Sequence, residues 1–273
     1  MEKLKVNLMA FDLDDTLLND ERKISDRNVE VLRRCAQRGI YVVLCSGRAE
    51  DGIKPFVSRL NIAALETGKY VISINGCSIF DMHKRLQIYK RTVQPEILHY
   101  VHSEAKKMGF ETEVYSEDTV FYSKETEWTL RDVTMCGLKG KEAENYGELL
   151  NKDFYKMLIP GEPEKLLVLQ EKLKSSLGNK AVIFTSKPYF LEILPPRCGK
   201  GESILWLSKY IGIDAGTTMA FGDSMNDESM ITKCGYGVAM KNGNEQIKKL
   251  ASFVTEKTNN EDGVADFIEK WVL

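Results

Sequence analysis

Short apolar runs ended by polar turns recur along the chain, with amphipathic stretches of helical length between them. "LKVNLMAF" (4–11) reads as a buried strand, and "SDRNVEVLRRCAQRG" (25–39) as a helix with Ser25 or Asp26 as N-cap and Gly39 as its stop. "IYVVLC" (40–45) and "YVISI" (70–74) are two further buried strands, separated by the helix "AEDGIKPFVSRL" (49–60). Strand, helix, strand, helix, strand predicts a parallel α/β sheet.

Around residue 80 the pattern changes. "CSIFDMHKRLQIYKRTV" (77–93) predicts a hairpin leading away, followed by the helix "PEILHYVHSEAKKMG" and the short strands "FETEVYS" and "TVFYSK", separated by Glu117 and Asp118. "FYKMLIP", the helix "EPEKLLVLQEKLKSSLG" and the strands "KAVIFTS" and "YFLEILP" come next. Helices followed by paired strands predict an antiparallel α+β unit. This places an inserted domain at 84–190, within a core made of 1–83 and 191–273. After Pro195 and Pro196 the first pattern returns, with "GESILWLSKYIG" as a helix, "TTMAFG" as a strand and "ESMITKCG" as a helix.

With 273 residues, 43% hydrophobic and 29% charged, the chain has ample material for a sizeable core. A formal net charge of −2 lacks the basic excess of a general nucleic-acid surface. No apolar run approaches the roughly 20 residues of a membrane span, and the N-terminus lacks the shape of a signal peptide, so a cytoplasmic location is expected. Six cysteines without a C-x-x-C pair predict reduced structural thiols rather than a zinc site. His99 and His102 are expected on the surface.

Three of the predicted strand ends carry polar clusters: "DLDDT" (12–16), "SGR" (46–48) and "GDSMND" (222–227). Strand ends on one side of a parallel sheet open onto the usual ligand crevice. Carboxylate oxygens suit Mg²⁺, which takes one or two of them together with substrate phosphate, and Asp12 and Asp223 could share such an ion. A carboxylate can attack phosphorus, and a neighbour two residues on can act as acid and base. Ser46, with the amides that follow it at a helix start, suits a phosphate oxygen. Lys200 in "CGKGES" offers the cation needed against this anionic load. Taken singly the clusters are weak: "DLDD" alone reads as a turn and helix cap, and matches the D-x-D-D acid of large helical terpene cyclases. An EF-hand loop would need further oxygen ligands and a Gly that are missing.

In their order and placement these clusters resemble the haloacid dehalogenase superfamily of phosphatases, and its Cof-type branch in particular. "FDLDDTLL", "LCSGR", the Lys of "GKGES" and "FGDSMND" are similar to the four family motifs. The resemblance implies a Rossmann-like parallel-sheet core with an inserted α+β cap domain that governs substrate choice. It implies Asp12 as nucleophile, Asp14 as acid and base, and Ser46, Gly47, Lys200 and Asn226 around the phosphoryl group. Mg²⁺ would be held by Asp12, the Asp14 carbonyl and Asp223, with Asp227 reaching it through water or serving Lys200. Arg48, Asn75 and Gly76 would lie near the substrate. Asp15 stands where the family often has Gly, and Ser46 where the branch often has Thr. The activity implied is Mg²⁺-dependent hydrolysis of small phosphorylated metabolites, such as sugar or cofactor phosphates. A sugar phosphomutase and a phosphorylated or Mg²⁺-binding regulatory module are the alternatives. No nucleic-acid or membrane partner is expected, and oligomeric state stays open. Lys200 is expected to serve turnover and to be dispensable for folding.

Overall fold

The computed structural model describes residues 3–116 and 118–273, so Glu117 lies outside the described residues. The chain divides into two compact units, Met1–Tyr89 with Gly199–Leu273, and Lys90–Cys198.

The first unit opens with β1 (Leu8–Phe11), α1 (Asp26–Gln37), β2 (Tyr41–Cys45), α2 (Glu50–Leu60), β3 (Tyr70–Ser73), β4 (Ser78–Asp81) and β5 (Leu86–Lys90). Ser25 caps α1 by accepting the Asn28 N–H, which removes one of the unpaired donors of the first turn. The second unit contributes α3 (Pro95–Lys107), β6 (Glu113–Tyr115), β7 (Thr119–Tyr122), α4 (Glu127–Cys136), β8 (Lys139–Glu142), the single turn α5 (Tyr146–Leu149), β9 (Met157–Pro160), α6 (Pro163–Leu177), β10 (Val182–Lys187) and β11 (Phe190–Leu194). The chain then completes the first unit with α7 (Lys200–Tyr210), β12 (Thr218–Gly222), α8 (Glu228–Lys233), β13 (Tyr236–Ala239), α9 (Glu245–Leu250), β14 (Phe253–Val254) and α10 (Gly263–Trp271).

In the first unit eight strands form one sheet in the order β14-β13-β12-β1-β2-β3-β4-β5. It is parallel from β14 to β3, and β4 turns antiparallel against β3. Alternation along β1 sends Met9 and Phe11 to one face and Leu8 and Ala10 to the other. The first face packs on Leu32 of α1, Ile53 of α2 and Phe267 of α10; the second packs on Ile204 and Leu207 of α7 and Met230 of α8. Both faces are therefore covered, which is why β1, β2 and β3 read as continuous apolar runs.

The second unit is a six-stranded sheet, β10-β11-β9-β6-β7-β8, antiparallel except for the β7–β8 pair. Val114, Met157, Ile159, Leu191 and Ile193 pack with Leu98 and Val101 of α3 and Leu166 and Leu169 of α6. The alternate residues on β6 and β11 include Glu113, Tyr115 and Glu192, all buried, and Lys156 just before β9 and Asp132 of α4 are buried with them. The Tyr115 hydroxyl donates to Asp132, and Lys156 Nζ lies 3.2 Å from Glu192 Oε2 and 4.1 Å from the centre of the Tyr115 ring. Burial, followed by the neighbouring Asp132, pushes the Glu113 carboxyl far above the ordinary carboxylate range.

The units divide at Lys90 and Gly199, later than the expected 84 and 191. Leu86–Tyr89 stay with the first unit because β5 forms the edge of its sheet, and Phe190–Leu194 belong to the second because β11 pairs with both β9 and β10. The hairpin thus extends the core sheet instead of leaving it. Helix α4 and strand β8 were not anticipated. His102 is half-buried, with Nδ1 2.7 Å from Thr112 Oγ1 and its ring tilted against that of Tyr146, so it is not a surface residue. None of the six cysteines forms a disulfide, as expected. No described helix is long and apolar enough to cross a membrane.

Glu113 generates a pH prediction. An unfolded glutamate loses its proton near pH 4.5, whereas the folded one keeps it well above that. The unfolded state therefore binds fewer protons, and this group's contribution to stability falls as pH rises past 4.5. Glu113→Gln removes that dependence. Its urea-unfolding stability should gain on the parent between pH 5 and pH 8, by at least about 1 kcal/mol. An equal difference at both pH values would show that Glu113 ionises freely in the folded protein.

Candidate active site

Parallel pairing brings the carboxyl ends of β1, β2 and β12 to one edge of the sheet, and Asp12, Ser46 and Asp223 are the residues that follow them. Ladder bonds continue one step past the strands. The Asp12 N–H donates to the Phe221 carbonyl at 3.0 Å, and the Ser46 N–H to the Ile72 carbonyl at 3.0 Å. These side chains are set by the sheet and not by mobile loops.

Lys200 is the first residue of α7 and is wholly buried. Its Nζ donates to Asp12 Oδ1 at 2.5 Å and to Asp227 Oδ1 at 2.6 Å. The other Asp227 oxygen accepts the main-chain N–H of Asp223 at 2.9 Å and of Ser224 at 3.2 Å. The chain can fold back this tightly because residue 222 is glycine: a Cβ there would stand 2.5 Å from the Asp227 Cβ. Asp223 accepts from Thr16 Oγ1 at 3.0 Å, which ties the β12 loop to the β1 loop.

Asp12, Asp223 and Asp227 each present an oxygen within 4.8 Å of the others. Against one ammonium, three carboxylates leave an excess of two negative charges among buried groups. Burial, reinforced by Asp227, pushes the Asp12 pKa up despite the opposing pull of Lys200. Burial does the same to Asp223, with Asp227 and Asp12 adding to it. Burial works against the Lys200 charge, but Asp12 and Asp227 outweigh it and hold its pKa above the ordinary value. An all-oxygen donor set with this charge fits a hard divalent cation, whose own charge would draw both carboxyl pKa values down again.

The Asp14 carboxylate lies outside this group. It is held in a two-pronged ion pair by Arg48, with Nε 2.9 Å from Oδ2 and Nη2 2.5 Å from Oδ1. The Asp14 side chain is 46% exposed, so it stays accessible to solvent. The Arg48 guanidinium lies 5.3 Å from the centre of the Phe56 ring, and its main-chain N–H donates to Ser46 Oγ at 3.2 Å. Helix α2 begins only at Glu50, so the amide facing Ser46 is that of Arg48 and not one from the helix start, as the sequence had suggested. Asp15 is exposed, with φ at 59°, a left-handed conformation that glycine adopts freely and aspartate tolerates. Its carbonyl accepts from Asn242 Nδ2 at 2.7 Å, which makes it a turn residue. Asn226 is half-buried, with Oδ1 accepting the Ser224 hydroxyl at 2.5 Å. Gly47 sits between Ser46 and Arg48, while Asn75 and Gly76 form the turn after β3.

Comparison with known proteins shows the family and the fold. A family model described as haloacid dehalogenase-like hydrolase matches residues 9–268. A 5-amino-6-(5-phospho-D-ribitylamino)uracil phosphatase of Bacillus subtilis is 30% identical, over 100% of this chain and 98% of its own. An HMP-PP phosphatase of Serratia proteamaculans is 29% identical, over 97% and 95%. The crystal structure of a haloacid dehalogenase-like hydrolase from Bacteroides thetaiotaomicron superposes with a TM-score of 0.84 at 32% identity, covering 97% of this chain and 99% of that one.

The burial of Lys200 between two carboxylates argues against the expectation that the fold can spare it. Lys200→Met would leave Asp12 and Asp227 as buried carboxylates without a countercharge, an uncompensated burial that typically costs about 3–5 kcal/mol. Urea unfolding in the presence of chelator should show a loss of that order. An unchanged midpoint would mean that water reaches the carboxylates.

Proposed function

The chain belongs to the haloacid dehalogenase-like hydrolases, and from that membership and the geometry of its site we propose that it hydrolyses phosphate monoesters of small metabolites through an aspartyl-phosphate on Asp12, with Mg²⁺ as its cation. The observation that carries this reading is the Lys200 ammonium shared between Asp12 and Asp227, with Asp14 only two residues from Asp12 and engaged by Arg48.

In the first step an Asp12 oxygen attacks phosphorus and the bond to the leaving alkoxide breaks. Asp14, once protonated and released from one prong of Arg48, supplies the proton that the alkoxide needs. In the second step the Asp14 carboxylate takes a proton from water, the water oxygen attacks phosphorus, and the bond to Asp12 breaks to release phosphate. Lys200 opposes the negative charge on the phosphoryl oxygens, where a fixed contact typically contributes about 10²–10³ in rate. The Ser46 hydroxyl and the neighbouring amides receive phosphoryl oxygens, with Gly47 allowing close approach. Arg48 fixes the direction of Asp14, and its planar fork matches both carboxylate oxygens in a way a lysine could not. Asp12, Asp223 and the Asp14 carbonyl would hold Mg²⁺, with Asp227 braced by Lys200. The bound ion would neutralise charge that the single ammonium leaves uncompensated.

Every one of these residues lies in the first unit. Support for assigning substrate choice to the inserted unit is that it carries none of this chemistry. The activity named for one relative, 5-amino-6-(5-phospho-D-ribitylamino)uracil phosphatase, makes phosphorylated uracil derivatives a class to screen first.

Three experiments test the reading. Turnover of p-nitrophenyl phosphate should vanish in excess chelator and return with Mg²⁺; full turnover in chelator would remove the ion from the scheme. Asp12→Asn keeps the shape but loses the attacking charge, so neither step should proceed. Asp14→Asn should cut turnover of alkyl esters by about 10²–10⁴. With the aryl ester, whose leaving group needs no proton, the first step should survive in part. Rapid mixing should then show a burst of nitrophenol and a hydroxylamine-labile phosphate on the protein. Persistent activity in Asp12→Asn would favour direct attack by water.

A further inference from the structure

The turn after β3 places three successive residues in left-handed backbone: Ile74 at φ 50°, Asn75 at 51° and Gly76 at 92°. Glycine accepts this freely, and asparagine tolerates it, but for a β-branched isoleucine it is a genuine outlier. Such a conformation persists only where the surroundings over-determine it. Here the surroundings are the phosphate-side elements of the site. The Ile74 N–H donates to the Arg48 carbonyl at 2.9 Å, and the Asn75 N–H to the Ser46 carbonyl at 3.0 Å. Consecutive amides of the turn thus grip both ends of Ser46–Gly47–Arg48.

Between those two bonds the Asn75 side chain, itself buried, lies against Gly47. A Cβ on residue 47 would stand 3.0 Å from Asn75 Oδ1, 3.3 Å from Nδ2 and 3.4 Å from Cγ. On its other side the turn meets the residue before Lys200. A Cβ on Gly76 would stand 2.2 Å from the Gly199 carbonyl oxygen and 2.8 Å from Ser203 Oγ. The turn therefore fills the space between the loop that carries Ser46 and the helix start that carries Lys200.

We propose that Ile74–Asn75–Gly76 is a positioning turn that sets the spacing between the Ser46–Gly47–Arg48 loop and Lys200, with the Asn75 amide packed on Gly47 as its strut. Asn75 acts through Gly47 and need not touch substrate. The inference rests on the reading of Ser46 and Lys200 as phosphoryl-binding groups, and it accounts for the glycine at 76, where a Cβ has no room, and for the tight fit at 47. The strain at Ile74 is held by the two hydrogen bonds that make the turn useful.

A double-mutant cycle on the full-length protein tests this, read by calorimetric binding of inorganic phosphate in the presence of Mg²⁺ and by turnover of p-nitrophenyl phosphate. Asn75→Gly removes the strut while keeping the positive φ unstrained. Gly47→Ala presses a methyl into the Asn75 amide. Each should weaken phosphate affinity and lower kcat by about tenfold to a hundredfold, the usual effect of a small misplacement. In the double variant the new methyl occupies the space the amide has left, so its loss should be smaller than the product of the two single losses by about fivefold or more. Losses that simply multiply would overturn the strut. Ile74→Gly relieves the steric cost and keeps both N–H donors but gives up a buried side chain, so it should lower the thermal midpoint while the folded protein holds phosphate affinity within about twofold. A loss there as large as in Asn75→Gly would move the role to the isoleucine and also overturn the proposal. A parent that binds phosphate but does not hydrolyse the ester would defeat the phosphatase reading, and the binding cycle would still decide the strut. A parent that binds no phosphate would overturn both.

Discussion

A buried ammonium held between two buried carboxylates organises the first unit's chemistry. Lys200 begins the helix that follows the insert, Asp12 ends the first strand, and Asp227 sits in the loop after β12. One side chain thus joins three separate stretches of chain. Stability alone is a poor explanation for it, since well-packed apolar groups of the same volume are often as stable as a buried ion pair or more so. The arrangement makes sense as a charge reservoir. It gathers carboxylates that would otherwise repel one another and leaves an excess of negative charge for a cation to complete.

The two cations of the site do different work because their shapes differ. Lys200 is a compact charge that can be wholly enclosed and shared between two oxygens from different loops. Arg48 sits nearer solvent, engages both oxygens of one carboxylate and rests on an aromatic ring. The first fixes where charge resides, and the second fixes which way the exposed carboxylate of Asp14 points.

Much of this was legible in the sequence because a parallel sheet covered on both faces writes its strands as unbroken apolar runs, and the polar residue after each run lies at the ligand edge. That logic finds Asp12, Ser46 and Asp223 without any structure. It does not find the Arg48–Asp14 pair, whose members lie on different loops with no periodicity to join them. Nor could it place Ile74 in left-handed backbone, because local preference for a β-branched residue argues against it and only the surrounding hydrogen bonds impose it. Strand β8 is "KGKE", fully exposed at a sheet edge; polar edge strands have no buried face to mark them, and lysines there discourage pairing with other chains. The domain boundary was misplaced for a related reason. A hairpin whose outer strand is only half-buried looks the same whether it extends one sheet or starts another.

Strand β1 lies at the centre of its sheet between β2 and β12, yet β12 is encoded on the far side of the insert. On the ribosome, where residues emerge at about 5–20 per second, one edge of β1 waits tens of seconds for its neighbour at Thr218–Gly222. During that interval a highly apolar strand has an open row of hydrogen-bonding groups, the condition under which nascent chains recruit unwanted partners. The intervening segment has its own sheet and its own apolar interior, so it can fold while the first strands wait. Nascent chains halted before β12 has left the ribosome should therefore be the ones that chaperones hold, and those halted after it has emerged the ones that let go.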